Sequence, residues 1–196
     1  MGMRVGPSTG PSYIDSFVMS PDGRLSAAPG SPFPAQRIGP FGSQFRPTDP
    51  TQLFVSNAHD GPLAGSVSAY NVAADGTLTP IGDSPFADNQ TAPCWVAITP
   101  DGQELFAINT ASTTVSRYAI EADGSLTLQG STPFNTPTGL RPFDAQVDPS
   151  GSFLYVVDAG AAKISVFAID GGSLTELASS PVAIPGGGAP FGMVVS

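Results

Sequence analysis

The side chains able to do chemistry are few, and most fall in two short runs. His59, the chain's one histidine, stands beside Asp60. An unperturbed imidazole exchanges its proton near neutral pH, so His59 could take a proton from an attacking water. A solvated loop histidine is the plainer account of the same residue. The second run is Arg141-x-x-Asp144-x-Gln146. Arg141 offers a planar fork of donors to a carboxylate or phosphate, and Asp144 could orient what it holds. The plainer account here is an Arg141–Asp144 ion pair that shapes the loop. Metal chemistry has little to build on. One His and one Cys rule out an ordinary zinc site within the chain, and a carboxylate cation site on Asp144 or Asp60 has no support. No G-x-S-x-G elbow and no phosphate-cradling glycine loop occurs, so neither cofactor nor metal is expected.

What positions these residues is an internal repeat. Turn glycines recur at Gly23, Gly76, Gly124 and Gly172, at intervals of 53, 48 and 48. Aromatics ahead of them recur at Phe17, Tyr70, Tyr118 and Phe167, and a proline opens each unit at Pro40, Pro93, Pro142 and Pro190. Apolar pairs recur at Leu53-Phe54, Leu105-Phe106 and Leu154-Tyr155. A shared period of about 48 residues is the signature of an array of like units.

The copy over 93–134 shows what one unit is. It holds four short stretches rich in Val, Ile, Phe, Tyr and Thr, as strands require. They are a (95–99), b (105–109), c (115–120) and d (126–128). Stretches a and b meet through Pro100-Asp101-Gly102, and c and d through Ala122-Asp123-Gly124, where Asp-Gly supplies the backbone of a tight turn. Stretch b is apolar on consecutive residues, which predicts burial on both faces. A four-stranded sheet packed between similar sheets is the blade of a β-propeller. The fold class is therefore all-β, a propeller of four-stranded antiparallel blades.

Residues 1–12 are rich in Gly, Pro and Ser and are expected to be disordered; 13–196 form the propeller. Within it, 13–39 supply c and d alone, blades span 40–86, 87–134 and 135–182, and 189–196 end the chain as a lone stretch a. Two readings of this inventory compete. One is a small closed ring with a three-stranded blade. The other, which we prefer, is the C-terminal part of a larger propeller. An open arc would expose two apolar blade faces and favour self-association.

The tight a–b and c–d turns share one face of the ring. The longer b–c and d–a loops share the other, the expected binding face. Starts of the a stretches crowd the channel mouth there, at Gly42, Trp95, Asp144 and Gly192. Two positions further in are Gln44, Ala97, Gln146 and Val194. Gln44, Asp60, Trp95 and Gln146 are thus expected to bind substrate, with His59, Arg141 and Asp144 as the catalytic set. Trp95 either caps a ligand or packs between blades. Cys94 is expected to be a buried thiol, and Asn57, Asn109 and Asp158 to bond the backbone of the next turn.

Composition removes whole classes of partner. The seven basic residues are scattered against 16 acidic ones, a net charge of −9. Nucleic acid and anionic membranes both need clustered Lys and Arg, so neither is expected. The start, MGMRVGPSTGPS, lacks the apolar core of a secretory signal. The chain as given is expected in the cytoplasm, while a longer parent protein could be secreted.

Units of the form VAITPDGQELFAINTASTTVSRYAIEADGSLTLQGSTPF, with TAPCWV and the terminal APFGMVVS, resemble the lactonase-type propellers. These are also called 6-phosphogluconolactonase-like or YVTN-type, and the fungal carboxymuconate-lactonising enzyme is similar to them. The resemblance implies seven blades and, for some members, hydrolysis or formation of a lactone. It implies a small-molecule lactone or cyclic ester as substrate. Two other functions stand beside it: a non-catalytic propeller that binds a peptide, glycan or protein partner, and a remnant without activity.

Overall fold

The computed structural model describes residues 2–4, 10–136 and 138–195. It is all-β, and no helix occurs among the described residues. Five short strands come first: β1 (Gly2–Arg4), β2 (Tyr13–Asp15), β3 (Phe17–Met19), β4 (Leu25–Ala27) and β5 (Phe33–Pro34). Blade 1 follows, with β6 (Pro40–Arg46), β7 (Asp49–Asn57), β8 (Ser66–Val72), β9 (Leu78–Pro80) and β10 (Phe86–Ala87). Blade 2 is β11 (Pro93–Ile98), β12 (Glu104–Asn109), β13 (Thr114–Ile120) and β14 (Leu126–Pro133). Blade 3 is β15 (Pro142–Val147), β16 (Phe153–Asp158), β17 (Lys163–Asp170), β18 (Ser173–Glu176) and β19 (Val182–Ala183). All ladders are antiparallel; β11-β12-β13-β14 pair in chain order, while β2 also pairs with β5, β8 with β10 and β17 with β19.

Stretch b explains how the blades stack. On β12, Leu105 and Ala107 enter the core shared with blade 1, while Phe106 and Ile108 enter the core shared with blade 3. On β7, Phe54 faces blade 2, while Leu53 and Val55 face the partial blade. Successive side chains of a strand point to opposite faces. A consecutive apolar run therefore feeds two cores at once, and each core lies between sheets.

In the partial blade and in blades 1 and 3 the outer strand is broken by a serine. Ser31, Ser84 and Ser180 use Oγ to accept the backbone N–H of Ser16, Ala69 and Val166 on the neighbouring c strand. The hydroxyl replaces a carbonyl of the ladder where the outer strand leaves it. Hence β9 and β10 both pair with β8, and β18 and β19 both pair with β17. In blade 2 the ladder instead continues through a bulge beside Arg117, giving the unbroken β14.

Both ends of the chain depart from expectation. Gly2–Arg4 is a strand rather than disordered, because its backbone pairs with β2 in the register Met3–Ile14. It takes the b position of the partial blade, where no such strand was expected. The rest of the expected disorder at 1 and 5–9 lies outside the described residues. The first c stretch is split at Ser16, whose Oγ donates to the Gly76 carbonyl at 2.8 Å. The closing strand expected over 189–196 is not formed as a ladder over 189–195, and Ser196 lies outside the described residues. Among the described residues no strand pairs with that segment. It is held by side chains of blade 3, chiefly Gln146, whose Oε1 accepts the Val195 N–H at 2.9 Å.

Candidate functional site: a cleft along the inner strands

Each inner strand begins with an irregular register, between Pro40 and Ser43, Pro93 and Trp95, and Pro142 and Ala145. Bulges of this kind re-aim side chains. Here they turn the strand starts toward the mouth. Phe41, Phe143 and Phe191, from equivalent positions, meet there edge to face with centroids 5.7 and 4.9 Å apart. The equivalent residue of blade 2 is Cys94, a buried free thiol that burial pushes up, with Thr110 and the Arg141 charge pulling the other way.

Below this aromatic row lies a cleft of about 260 Å³. Gln44, Trp95, Asp144 and Gln146 line it, with Ser43, Val96, Ala145 and Met193. Four of the seven residues singled out by type and repeat position therefore share one site. Blade 1 can approach closely because of Gly42: a Cβ there would stand 2.6 Å from the Trp95 Cα. Trp95 is half-buried, packs on the core between blades 2 and 3 and lines the cleft as well.

Gln44 and Gln146 hold neighbouring inner strands together. Gln44 Oε1 accepts the Ile98 N–H at 3.0 Å, as Gln146 does for Val195. Ile98 and Val195 are equivalent positions, so 191–195 runs where the inner strand of a following blade would run. Asp144 is the charged group of the cleft. It is 7% exposed, and burial raises its carboxyl above the usual carboxylate range, opposed by the backbone amides of Met193 and Ala145.

The other three residues lie elsewhere on this face. His59 is exposed, and its ring rests on Gly39, where a Cβ would come within 2.7 Å of the ring. Asp60 accepts the Ile38 N–H at 3.1 Å, and the His59 N–H donates to the Ile38 carbonyl, so this pair pins the b–c loop to the d–a loop. Neither lines the cleft. Arg141 is exposed, with a left-handed φ of 47°, and its carbonyl accepts the Ala159 N–H. No ion pair joins Arg141 to Asp144 among the described residues.

Two sets of polar residues escaped sequence reasoning. Asn57, Asn109 and Asp158 bond side chains of the next strand rather than the turn backbone. Asn57 donates to Ser66 and Ser68, Asn109 to Thr114 and Ser116, and Asp158 accepts from Ser165. The Oδ1 atom of each is buried without a partner. Their equivalence in the repeat was visible, but their direction was not. Asp88, between blades 1 and 2, looked like part of a polar loop. It is 2% exposed, and burial pushes it up to about 6, opposed by the Gln90 amide. No cluster of three metal-ligating side chains occurs among the described residues, and no helix long and apolar enough to cross a membrane occurs among them.

A larger cavity, of about 540 Å³, opens on the opposite, tight-turn face between blades 2 and 3. It shares no residue with the inner-strand cleft.

Comparison with known proteins agrees with the geometry. The structure is similar to the periplasmic gluconolactonase of Pseudomonas aeruginosa, with a TM-score of 0.68 and 25% identity, over 96% of this chain and 53% of that one. A provisional 6-phosphogluconolactonase from Bacteroides uniformis gives a TM-score of 0.70 at 18% identity, over 88% of this chain and 50% of that one. A functionally unknown protein from Desulfotomaculum acetoxidans gives 0.70 at 20%, over 99% and 60%. The chain thus spans about half the length of the first two. No curated protein matches it. The family model for the lactonase, a 7-bladed β-propeller, matches residues 45–191. With three blades stacked face to face and that match across most of its length, the chain belongs to the lactonase family of β-propellers.

Proposed function

We propose that the inner-strand cleft binds a sugar lactone or related cyclic ester and hydrolyses it without a metal. The observation that carries this reading is Asp144: a buried carboxylate at the cleft wall, beside an indole face and two carboxamides. A lactone presents a flat ring, an electrophilic carbonyl and several hydroxyls. The Trp95 ring suits the sugar face. The oxygens of Gln44 and Gln146 are engaged by backbone N–H groups, so their –NH2 groups are the donors left for a ligand.

In this mechanism Asp144 accepts a proton from water as the water oxygen bonds to the carbonyl carbon. The tetrahedral intermediate collapses, the ring C–O bond breaks and the departing alkoxide takes the proton back. The products are a hydroxyl and a carboxylic acid, which releases its proton to solvent and leaves as the carboxylate. A carboxyl raised by burial is a better base than an ordinary one. Arg141, exposed on the same face outside the cleft lining, is the counter-charge for an anionic substrate group that extends beyond the cleft. His59 is the rival base.

The test is background-corrected hydrolysis of gluconolactone and its 6-phosphate. Asp144→Asn should lower kcat by about 100-fold or more, and the acid limb of the wild-type profile should fall above the ordinary carboxylate range. Arg141→Ala should raise KM for the phosphate ester and leave the neutral lactone alone. Unchanged turnover in Asp144→Asn, with loss in His59→Ala, would move the base to His59. Saturable binding with no turnover in the wild type would favour the non-catalytic propeller.

A further inference from the structure

The tight-turn face holds two versions of one socket. At the boundary of blades 1 and 2, Arg46 ends β6 and reaches across. Its Nε donates to the Gly102 carbonyl at 2.8 Å, Nη1 to the Glu121 carbonyl at 3.0 Å and Nη2 to the Ile120 carbonyl at 3.3 Å. Nη1 also donates to Gln52 Oε1 at 2.9 Å. The two turns of blade 2 thus form a ring of carbonyls around a guanidinium, and Gln52 closes it.

One boundary further on, the same positions recur without the arginine. Gly151, Ile169 and Asp170 stand where Gly102, Ile120 and Glu121 stand, Glu104 replaces Gln52, and Thr99 replaces Arg46. Local geometry confirms the correspondence. The Ile120 N–H donates to Gln103, and the Ile169 N–H to the matching Ser152, each at 2.8 Å. Gly124 lies against Gln52, and its counterpart Gly172 lies against Glu104. The space the arginine would fill is the cavity of about 540 Å³, lined by Thr99, Asp101, Glu104, Gly151, Ile169 and Gly172. From the first socket to the second, the bridging arginine is lost and a neutral acceptor becomes a carboxylate. Arg117 of β13 brings its charge near Glu104, its Nη1 lying 3.7 Å from where a Gly172 Cβ would stand, but it forms no ion pair with Glu104 among the described residues and does not line the cavity.

We infer that this second socket binds an alkyl guanidinium supplied from outside the chain. The carbonyls of blade 3 would take the planar fork as those of blade 2 take Arg46, and Glu104 would supply the matching charge. The guanidinium could belong to a free small molecule or to an arginine side chain of a protein. Both blades that build the socket are complete four-position units in this chain.

The experiment titrates the wild-type chain with agmatine by calorimetry and by two-dimensional NMR. Expected is one saturable site, with shifts at the Gly151 and Gly172 amides. Glu104→Gln restores the residue that blade 1 uses, so the fold should be kept, and affinity should fall by about tenfold or more. Arg46→Ala opens the first socket and should raise the stoichiometry from one to two. A Gly-Gly-Arg-Gly-Gly peptide separates the sources: binding at least about tenfold tighter than agmatine points to a protein arginine, and weaker binding points to a small guanidine. No saturable binding up to about 20 mM agmatine, or the same affinity in Glu104→Gln, would overturn the proposal. Neither result bears on the lactone reading, whose cleft is on the other face.

Discussion

Blades 2 and 3 repeat the same strand and turn pattern but sit in different surroundings. Phe106 of blade 2 is fully buried between two sheets, while its equivalent Tyr155 in blade 3 is only half-buried. Val115 and Ile164 differ in the same way. At the end of the second strand, Asn109 becomes Asp158. The difference teaches that the repeat dictates each strand's shape and apolar content, while the neighbours decide how much that content stabilises. The partly covered face of blade 3 is also where the self-association expected from the sequence would take place.

The largest way to break this comparison is to empty the equivalent positions. Phe106→Ala should cost about 3–5 kcal/mol, and Tyr155→Ala no more than about 1–2 kcal/mol because part of the ring is already in water. Urea denaturation of both variants checks this, and equal losses would mean that the two faces are covered alike.

A smaller effect sharpens the Asn109–Asp158 contrast. Burial pushes Asp158 up to about 7, reinforced by Glu176 and opposed first by Ser165. Folding therefore favours its protonated form. The stability this provides is complete below the unfolded value near 4, and it is lost as pH rises to about 7. Asp158→Asn, the amide blade 2 uses, should flatten that loss. It should gain on the order of 1–3 kcal/mol at pH 8, leaving the smaller falls due to the other carboxyls that burial raises, Asp88, Asp144 and Glu104. Chemical denaturation across pH 4–8 would show it, and an unchanged slope would contradict the assignment.

The smallest effect separates the two inner-strand staples. Gln44→Ala should cost about 1 kcal/mol, because the bond to Ile98 is half-buried between two blades. Gln146→Ala should cost about half of that or less, because the bond to Val195 is exposed. Amide exchange at Ile98 and Val195 would report each loss separately.

The blades were legible because their signals are local. Asp-Gly turns, paired apolar residues and a proline at each start recur at fixed spacing, and each has a direct backbone meaning. The shared cleft of Gln44, Trp95, Asp144 and Gln146 was legible for a related reason, since repeat position places residues on one ring. What stayed hidden depended on single hydrogen bonds. The serine that breaks the outer strand recurs as Ser-Pro at 31–32, 84–85 and 180–181, but spacing does not show that its hydroxyl takes a ladder N–H. Gly2–Arg4 sits in a Gly-, Pro- and Ser-rich stretch expected to be disordered, and pairing by backbone alone leaves no apolar signal. Asp88 reads as a loop residue until neighbouring sheets enclose it. His59 shows the converse: a residue type rich in chemistry, placed by the loop on a glycine rather than on the cleft.

The two-sided second strand has one more consequence. In an ordinary half-exposed strand, slipping by one residue throws oily groups into solvent, and hydrophobicity itself polices the alignment. Here a slip of β12 would merely trade Phe106 and Ala107 between adjacent interiors. Both would still be dry. Alignment in such a stack is policed by volume instead, a phenyl ring forced where a methyl belongs, so the alternation of bulky and small residues carries the information that polarity carries elsewhere.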